Sequence, residues 1–398
     1  MPDVAFVNLL GVLAIAAGAP LLAAVLPKLR IPAVVLEIVL GVVVGPHALD
    51  WLRPDLVVQI VALLGLSMLL FLAGLEVDVR EWRGRLLRLV LVGYALSLLI
   101  GWTAGETLHA VGWVKDPVLV AVTLSATSLG LVVAVLKDAR LLESPMARTT
   151  ITAASLADFA AVVLLSVLFS TDGRSTGSRL TLMLMFIGLI GLVAVAATVS
   201  ARSTRLAAVL VMLQDSTAEI RVRAAVLLMV AFVVLAERVG LESILGAFLA
   251  GAMVAALDRD ATSHPNFRLK LEAVGFGFLV PVFFITSGMR LDVGGLLGSP
   301  ADLLRVPVFL VALVAARGVP ALLFARELGR RDTIASGLLL ATSLPFIVTA
   351  TQIGLLTGRM SETTATALVC AGLVSVLALP GLAVARARSG TEQPVTGP

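Results

Sequence analysis

Residues 125–130 read Ser125-Ala126-Thr127-Ser128-Leu129-Gly130, and residues 340–345 read Leu340-Ala341-Thr342-Ser343-Leu344-Pro345. Both stretches carry Ala-Thr-Ser-Leu followed by a residue that weakens a helix, and both lie inside long apolar runs. A hydroxyl-rich tetrad in such a run is either a packing and back-bonding device or a place where a helix stops and restarts. The runs around the two stretches decide which reading to follow.

Of the 398 residues, 59% are hydrophobic and 14% charged, with a mean hydropathy of +1.05. A soluble domain of this length does not carry such a balance. Charges cluster between apolar runs, most of them long enough for a helix to cross a hydrocarbon core of about 30 Å. A lipid-facing backbone must satisfy its own hydrogen bonds, so these runs predict helices. The short alternating segments of a membrane barrel are not seen. The expected fold is therefore an all-α membrane protein of about 13 transmembrane helices. They fall at 4–26, 31–49, 56–75, 86–111, 117–136, 149–170, 180–200, 222–236, 241–257, 273–289, 303–324, 333–356 and 366–385, the eighth being the shortest. The first run has no basic flank and is longer than a signal-peptide core, so it counts as a span.

Cytoplasmic loops are enriched in Lys and Arg, which tests the count. Twenty-one of the 30 basic residues follow odd-numbered spans, eight follow even-numbered ones, and Arg317 lies within a span. The separation places the N-terminus outside and the C-terminus in the cytoplasm, in a multi-pass protein of the cell inner (plasma) membrane. It also gives the two tetrads meaning. They lie in the fifth and twelfth spans, an odd number apart, and so cross the membrane in opposite senses. This predicts a transmembrane domain over 1–385 built as an inverted repeat of six plus six spans: 4–170, a connecting helix at 180–200, and 222–385. Residues 386–398 form a short cytoplasmic tail. Gly130 and Pro345 mark the fifth and twelfth helices for interruption, the usual construction of a midplane ion site.

The net charge of +4 and the pI near 9.8 do not indicate nucleic acid, since the basic residues are scattered over loops with no dense block. Cys370, the single cysteine, excludes an internal disulfide framework or a cysteine-based metal site. His47, His109 and His264 fall at span ends or in a loop, so no intramembrane hydrolase is indicated. Gly41-Val42-Val43-Val44-Gly45 is a close-packing pattern.

Two charges lie deep within spans: Asp158 at the middle of 149–170 and Arg317 inside 303–324. A charge at the centre of a membrane helix costs about 2.5–3.5 kcal/mol on insertion scales, so neither is expected to face lipid. One reading is an ion pair that only ties helices together. The other makes Asp158 a carboxylate that alternates between protonated and cation-bound forms, with Arg317 as a fixed positive charge. The hydroxyls at Thr127, Ser128, Thr342 and Ser343 in the two interruptions, and Ser155 beside the aspartate, complete the candidate constellation. Glu37 in the second span is a third intramembrane candidate, equally readable as a packing carboxyl.

Several stretches then resemble one family. Leu29-Arg30-Ile31-Pro32 with Glu37-Ile38-Val39-Leu40-Gly41-Val42-Val43-Val44-Gly45-Pro46 is similar to the second-span signature of the monovalent cation:proton antiporters, the bacterial sodium or potassium/proton exchangers. Phe71-Leu72-Ala73-Gly74-Leu75-Glu76-Val77-Asp78 resembles their third-span ending, and residues 240–251 and 281–292 match further motifs in order. The resemblance implies a homodimer, a core with two crossed, unwound helices, and alternating access without a cofactor, the transported species being Na+ or K+ and H+. It places the ion-binding aspartate at Asp158, the unwound-helix threonine at Thr127 and the core-domain cation at Arg317. Ala157 departs from the family, where Asp, Asn or Gln often precedes the aspartate. With one titrating site, a 1:1 electroneutral exchange is the simpler expectation. A cation-coupled carrier of organic solutes with the same repeat, and a non-transporting membrane sensor or subunit, are the competing readings.

Overall fold

The computed structural model describes residues 6–25, 32–76, 84–169, 219–257 and 265–388, with isolated positions between 177 and 191. The expected connecting helix at 180–200 therefore lies outside the described residues apart from those isolated positions, as does the expected tail at 386–398 from residue 389 on, while residues 386–388 continue the last helix. Every regular element among the described residues is helical, and eight helical stretches are long and apolar enough to cross a membrane.

The Cα positions group into two compact units. The first comprises Met1–Ala16, Pro54–Asp78 and Val162–Thr286; the second comprises Ala17–Arg53, Val79–Ala161 and Ser287–Pro398. Neither is a contiguous half of the chain. In the order of the chain the first helices are α1 (Val7–Val25), α2 (Ala33–Val44), α3 (Leu56–Leu75) and α4 (Gly84–Ala110). Then come α5 (Pro117–Ser125), α6 (Leu129–Asp138), α7 (Pro145–Phe169), α8 (Ile220–Val239) and α9 (Ser243–Leu257). They are followed by α10 (Pro265–Val274) and α11 (Val280–Met289), joined by a π-helical turn at Gly275–Leu279. After two short turns come α12 (Arg305–Gly318), the 3-10 turn Pro320–Phe324, α13 (Ala325–Leu340), α14 (Pro345–Leu356) and α15 (Glu362–Arg388).

In the first unit α3 lies along α9, and α9 along α8. Side chains do not separate α3 from α9: a Cβ on Gly74 would collide with the Phe248 carbonyl. Such glycine-mediated backbone contact is how helices associate where lipid removes the hydrophobic drive. In the second unit α4 packs on α5 and α12, while α15 runs beside α12 and α13.

The helix boundaries differ from the apolar runs in informative ways. The shortest predicted span, 222–236, is a 20-residue helix, Ile220–Val239, whose ends carry Arg221, Arg223, Glu237 and Arg238. Hydropathy underestimates it because helical hydrogen bonding continues into the charged termini. The fifth span is interrupted where the sequence predicts, but not by Gly130. The chain leaves the helix at Ala126 and Ser128, both extended, and Gly130 lies within the first turn of α6. The twelfth span breaks at 341–344, and Pro345 opens α14 at a first-turn position, where a missing N–H costs nothing.

Candidate ion site

The site begins with the orphaned backbone groups that two interruptions create. Where α5 ends and α6 begins, amide N–H groups lack partners one turn back. Asp158, on α7, supplies acceptors: Thr127 N donates to its Oδ1 at 3.1 Å, and Leu129 N donates to its Oδ2 at 3.0 Å. The carboxylate thus sits at the N-terminus of α6, the positive end of that half-helix. Leu129 and Ala126 are fully packed, whereas Asp158 itself is only half-buried.

The two interruptions touch. Ser128 N donates to the Thr342 carbonyl at 3.0 Å. Thr127 Oγ1 donates to the Leu340 carbonyl at 2.8 Å, capping the C-terminal end of α13. On the other side of α13, Ser343 N donates to Ser375 Oγ of α15 at 3.3 Å, and Ser375 Oγ donates to the Gly372 carbonyl at 2.7 Å. Gly372 allows a close approach there, since a Cβ would stand 3.0 Å from the Ser343 carbonyl oxygen.

Arg317 occupies the last turn of α12, 4% exposed. Its Nε and Nη2 donate to Thr127 Oγ1 at 2.9 and 2.6 Å, its Nε also reaches the Leu340 carbonyl at 3.5 Å, and its Nη1 donates to Ser97 Oγ at 3.2 Å. The planar fork uses three directions at once, which an ammonium cannot copy. Thr127 is therefore a hub: its hydroxyl accepts from Arg317 and donates to Leu340, while its amide holds Asp158. Beside it Tyr94, the only tyrosine of the chain, pairs its hydroxyl with Ser125 Oγ at 3.0 Å, and Ser125 donates to the Val122 carbonyl.

The structure brings together Asp158, Thr127, Ser128, Arg317 and Thr342 among the residues singled out in the sequence. Ser155 lies one helical turn before Asp158, buried, and its Oγ has no hydrogen-bond partner among the described residues; the same holds for Ser343 Oγ. Glu37 belongs to a different seam. It is buried in α2, where Gly288 of α11 meets the Ile38 backbone, and its carboxyl makes no hydrogen bond to the Asp158 cluster among the described residues. Tyr94, Ser97 and Ser375 were passed over in the sequence. The signal for the first two was present in α4, a hydroxyl pair three residues apart in an apolar stretch. No cluster of three or more His, Cys, Asp or Glu side chains able to hold a resident metal occurs among the described residues.

Two interrupted helices that meet inside a helical membrane body, with a carboxylate seated on the backbone they expose, define the class of secondary ion transporters. Within that class the chain belongs to the sodium/hydrogen exchanger family: the transmembrane family described as Sodium/hydrogen exchanger matches residues 13–385. Among its relatives is the protein named "Putative Na(+)/H(+) antiporter YjbQ" of Bacillus subtilis, 30% identical over 374 residues that cover 89% of this chain and 58% of YjbQ. Another is the Na(+)/H(+)-K(+) antiporter GerN of Bacillus cereus, 26% identical over 367 residues, 89% of either chain. The structure of the sodium proton antiporter MjNhaP1 from Methanocaldococcus jannaschii at pH 8 shares the fold, with a TM-score of 0.64 over 96% of this chain and 97% of that one, at 16% identity. The chain thus spans less than two thirds of YjbQ but nearly all of GerN.

Proposed function

We propose that this protein is an antiporter that exchanges a monovalent cation, Na+ or K+, for H+ at Asp158. The observation that carries the reading is the seating of this half-buried carboxylate on the Thr127 and Leu129 amides of a broken helix. Each oxygen spends one lone pair on the backbone, which fixes its direction, and keeps acceptor capacity for a cation or a proton. The hydroxyls of Ser155 and Ser128, and the backbone carbonyls freed at the interruption, are the further oxygen ligands a hard monovalent cation needs. Ser155 fits this role because its buried Oγ has no protein partner among the described residues. Arg317 does not titrate in the cycle. It stiffens the hub at Thr127 and offsets the carbonyl end of α13.

In the rest of this reading the protein is a homodimer with an external N-terminus and a cytoplasmic C-terminus, and the α5–α6 and α13–α14 pairs are equivalent elements of an inverted repeat. Since Ala157 supplies no second titrating group, one cation exchanges for one proton. The test is exchange in proteoliposomes bearing a fluorescent pH probe. A sodium or potassium gradient drives proton movement with the wild-type chain and not with Asp158→Asn. Exchange by that variant at the wild-type rate would remove Asp158 from the mechanism.

A further inference from the structure

Apart from the ion site, the second unit holds a cavity of about 250 Å³ walled by α14, α15 and the residues that end α11. Most of the wall is apolar, with Val348 and Leu355 from α14 and Val369 from α15. Leu356 at its edge is 80% exposed, so the opening faces the surroundings of the helices, which in a membrane helix are lipid. Four polar residues, Ser287, Arg290, Thr351 and Gln352, complete the lining. Gln352 Nε2 donates to Ser287 Oγ at 2.7 Å, and Arg290 lies next to them.

Arg290 lines this cavity, unlike four other arginines that the sequence assigns to the same side, Arg53, Arg238, Arg305 and Arg359, and three of those four are held in ion pairs. Arg53 pairs with Asp50, Arg305 with Asp302 and Arg359 with Asp116. The Arg290 guanidinium makes no ion pair among the described residues, and no acidic residue lines the cavity. A mostly apolar slot whose lining includes one uncompensated guanidinium and no acid has the polarity of an anionic amphiphile. A transported cation would be repelled there.

We infer that this cavity binds an anionic phospholipid, with its phosphate on Arg290 and a segment of one acyl chain along Val348, Leu355 and Val369. Guanidinium and phosphate form a bidentate, charge-assisted contact, and the chain segment covers the apolar wall. Because α14 is the second half of an interrupted helix, an occupant there braces it against α15 and ties exchange to the lipid around the protein. The inference stands apart from the assignment of Asp158, since it uses none of that site's residues.

The test is native mass spectrometry of the full chain purified in uncharged detergent and titrated with phosphatidylglycerol or phosphatidylcholine. The wild type retains phosphatidylglycerol at least about fivefold better, the size of one lipid–arginine contact. Arg290→Ala removes that preference, and Arg359→Ala, whose side chain already pairs with Asp116, keeps it. Ala365→Phe fills the cavity from α15 and lowers retention of both lipids, which decides the matter should Arg290→Ala not purify as a folded protein. Unchanged preference in Arg290→Ala, or unchanged retention in Ala365→Phe, would overturn the site. Inorganic phosphate raising the melting temperature as much as phosphatidylglycerol does would also overturn it, in favour of a free-anion site.

Discussion

The amide of Ser128 donates to the carbonyl of Thr342 at 3.0 Å, so the two helix interruptions hold one another directly. A half-helix N-terminus and a half-helix C-terminus each leave backbone groups that hydrocarbon cannot satisfy. Crossing the breaks lets one supply part of what the other lacks. The rest comes from Asp158 on the amide side and from Thr127 and Arg317 on the carbonyl side. One member of this arrangement, Asp158, is a half-buried carboxylate.

Asp158→Asn is expected to abolish exchange and also to lower stability, because the isosteric amide has one acceptor where the protein presents two donors. Its NH2 group would face either Thr127 N or Leu129 N. An unsatisfied donor of this kind costs about 1–3 kcal/mol. Thermal unfolding in detergent should show a lower midpoint with the oligomeric state unchanged. A variant as stable as the wild type would mean that the two amides are not held as described.

Thr127 allows a sharper comparison. Thr127→Ser keeps the hydroxyl that accepts from Arg317 and donates to Leu340, and should keep most exchange activity. Thr127→Val keeps the shape and removes the oxygen, leaving the buried Arg317 Nη2 donor without its acceptor and the Leu340 carbonyl with only its 3.5 Å contact to Arg317 Nε. The valine variant should be destabilised by about 1–3 kcal/mol or more, since one of the stranded groups is charged. Equal stability of the serine and valine variants would refute the hub.

Arg317→Lys retains the charge but reaches one of three acceptors at a time, so it should lose part of the stability and keep measurable turnover. Arg317→Ala should lose more of both, because Thr127, Ser97 and Leu340 are then left without their shared partner. If alanine were better tolerated than lysine, the guanidinium would be a source of strain and not a support.

The place of the interruptions was legible in the sequence because the same four residues recur in two spans and a carboxylate lies deep in a third. What broke the fifth helix was not. Gly130 is the weak helix former, but the break falls just before it, where Asp158 offers acceptors to Thr127 and Leu129. Local propensity cannot register a partner 29–31 residues away. Ser97 and Ser375 were equally hidden, since hydroxyls in membrane helices most often bond to their own preceding turn, and both do so here as well as serving the site. Arg317 was found from its depth in an apolar run, but its place in the last turn of α12, beside a 3-10 turn opened by Pro320, emerges only in three dimensions.

The proposed sidedness rests on the distribution of Lys and Arg and can be tested with single cysteines in a Cys370→Ser background, Cys370 being the only natural thiol. Trp51 and Glu143 are both exposed, one after the second predicted span and one after the fifth. A membrane-impermeant maleimide should label Trp51→Cys in intact cells and Glu143→Cys only after the membrane is opened. Labelling of both from the same side would break the span count between the second and fifth spans and, with it, the sidedness proposed for the chain.

The stoichiometry of exchange is the strictest consequence of Ala157. Asp158 has a methyl group before it where a second carboxylate or amide would add a ligand or a proton, and Arg317 is fixed in charge, so in the proposed cycle one cation exchanges for one proton. Transport should then be indifferent to membrane potential. Cation and proton should compete for one carboxylate, so lowering the pH protonates Asp158 and raises the cation concentration needed for half-maximal rate, with little change in the rate at saturation. The measurement is cation-driven proton flux in liposomes clamped at several potentials with potassium and valinomycin, with sodium or lithium as the transported ion so that the clamp is not itself carried. A reversal point that moves with the clamp would show net charge crossing in each cycle. It would bring in another titrating group, and Glu37, buried in α2 with no hydrogen-bond partner among the described residues, is the first to substitute by Gln.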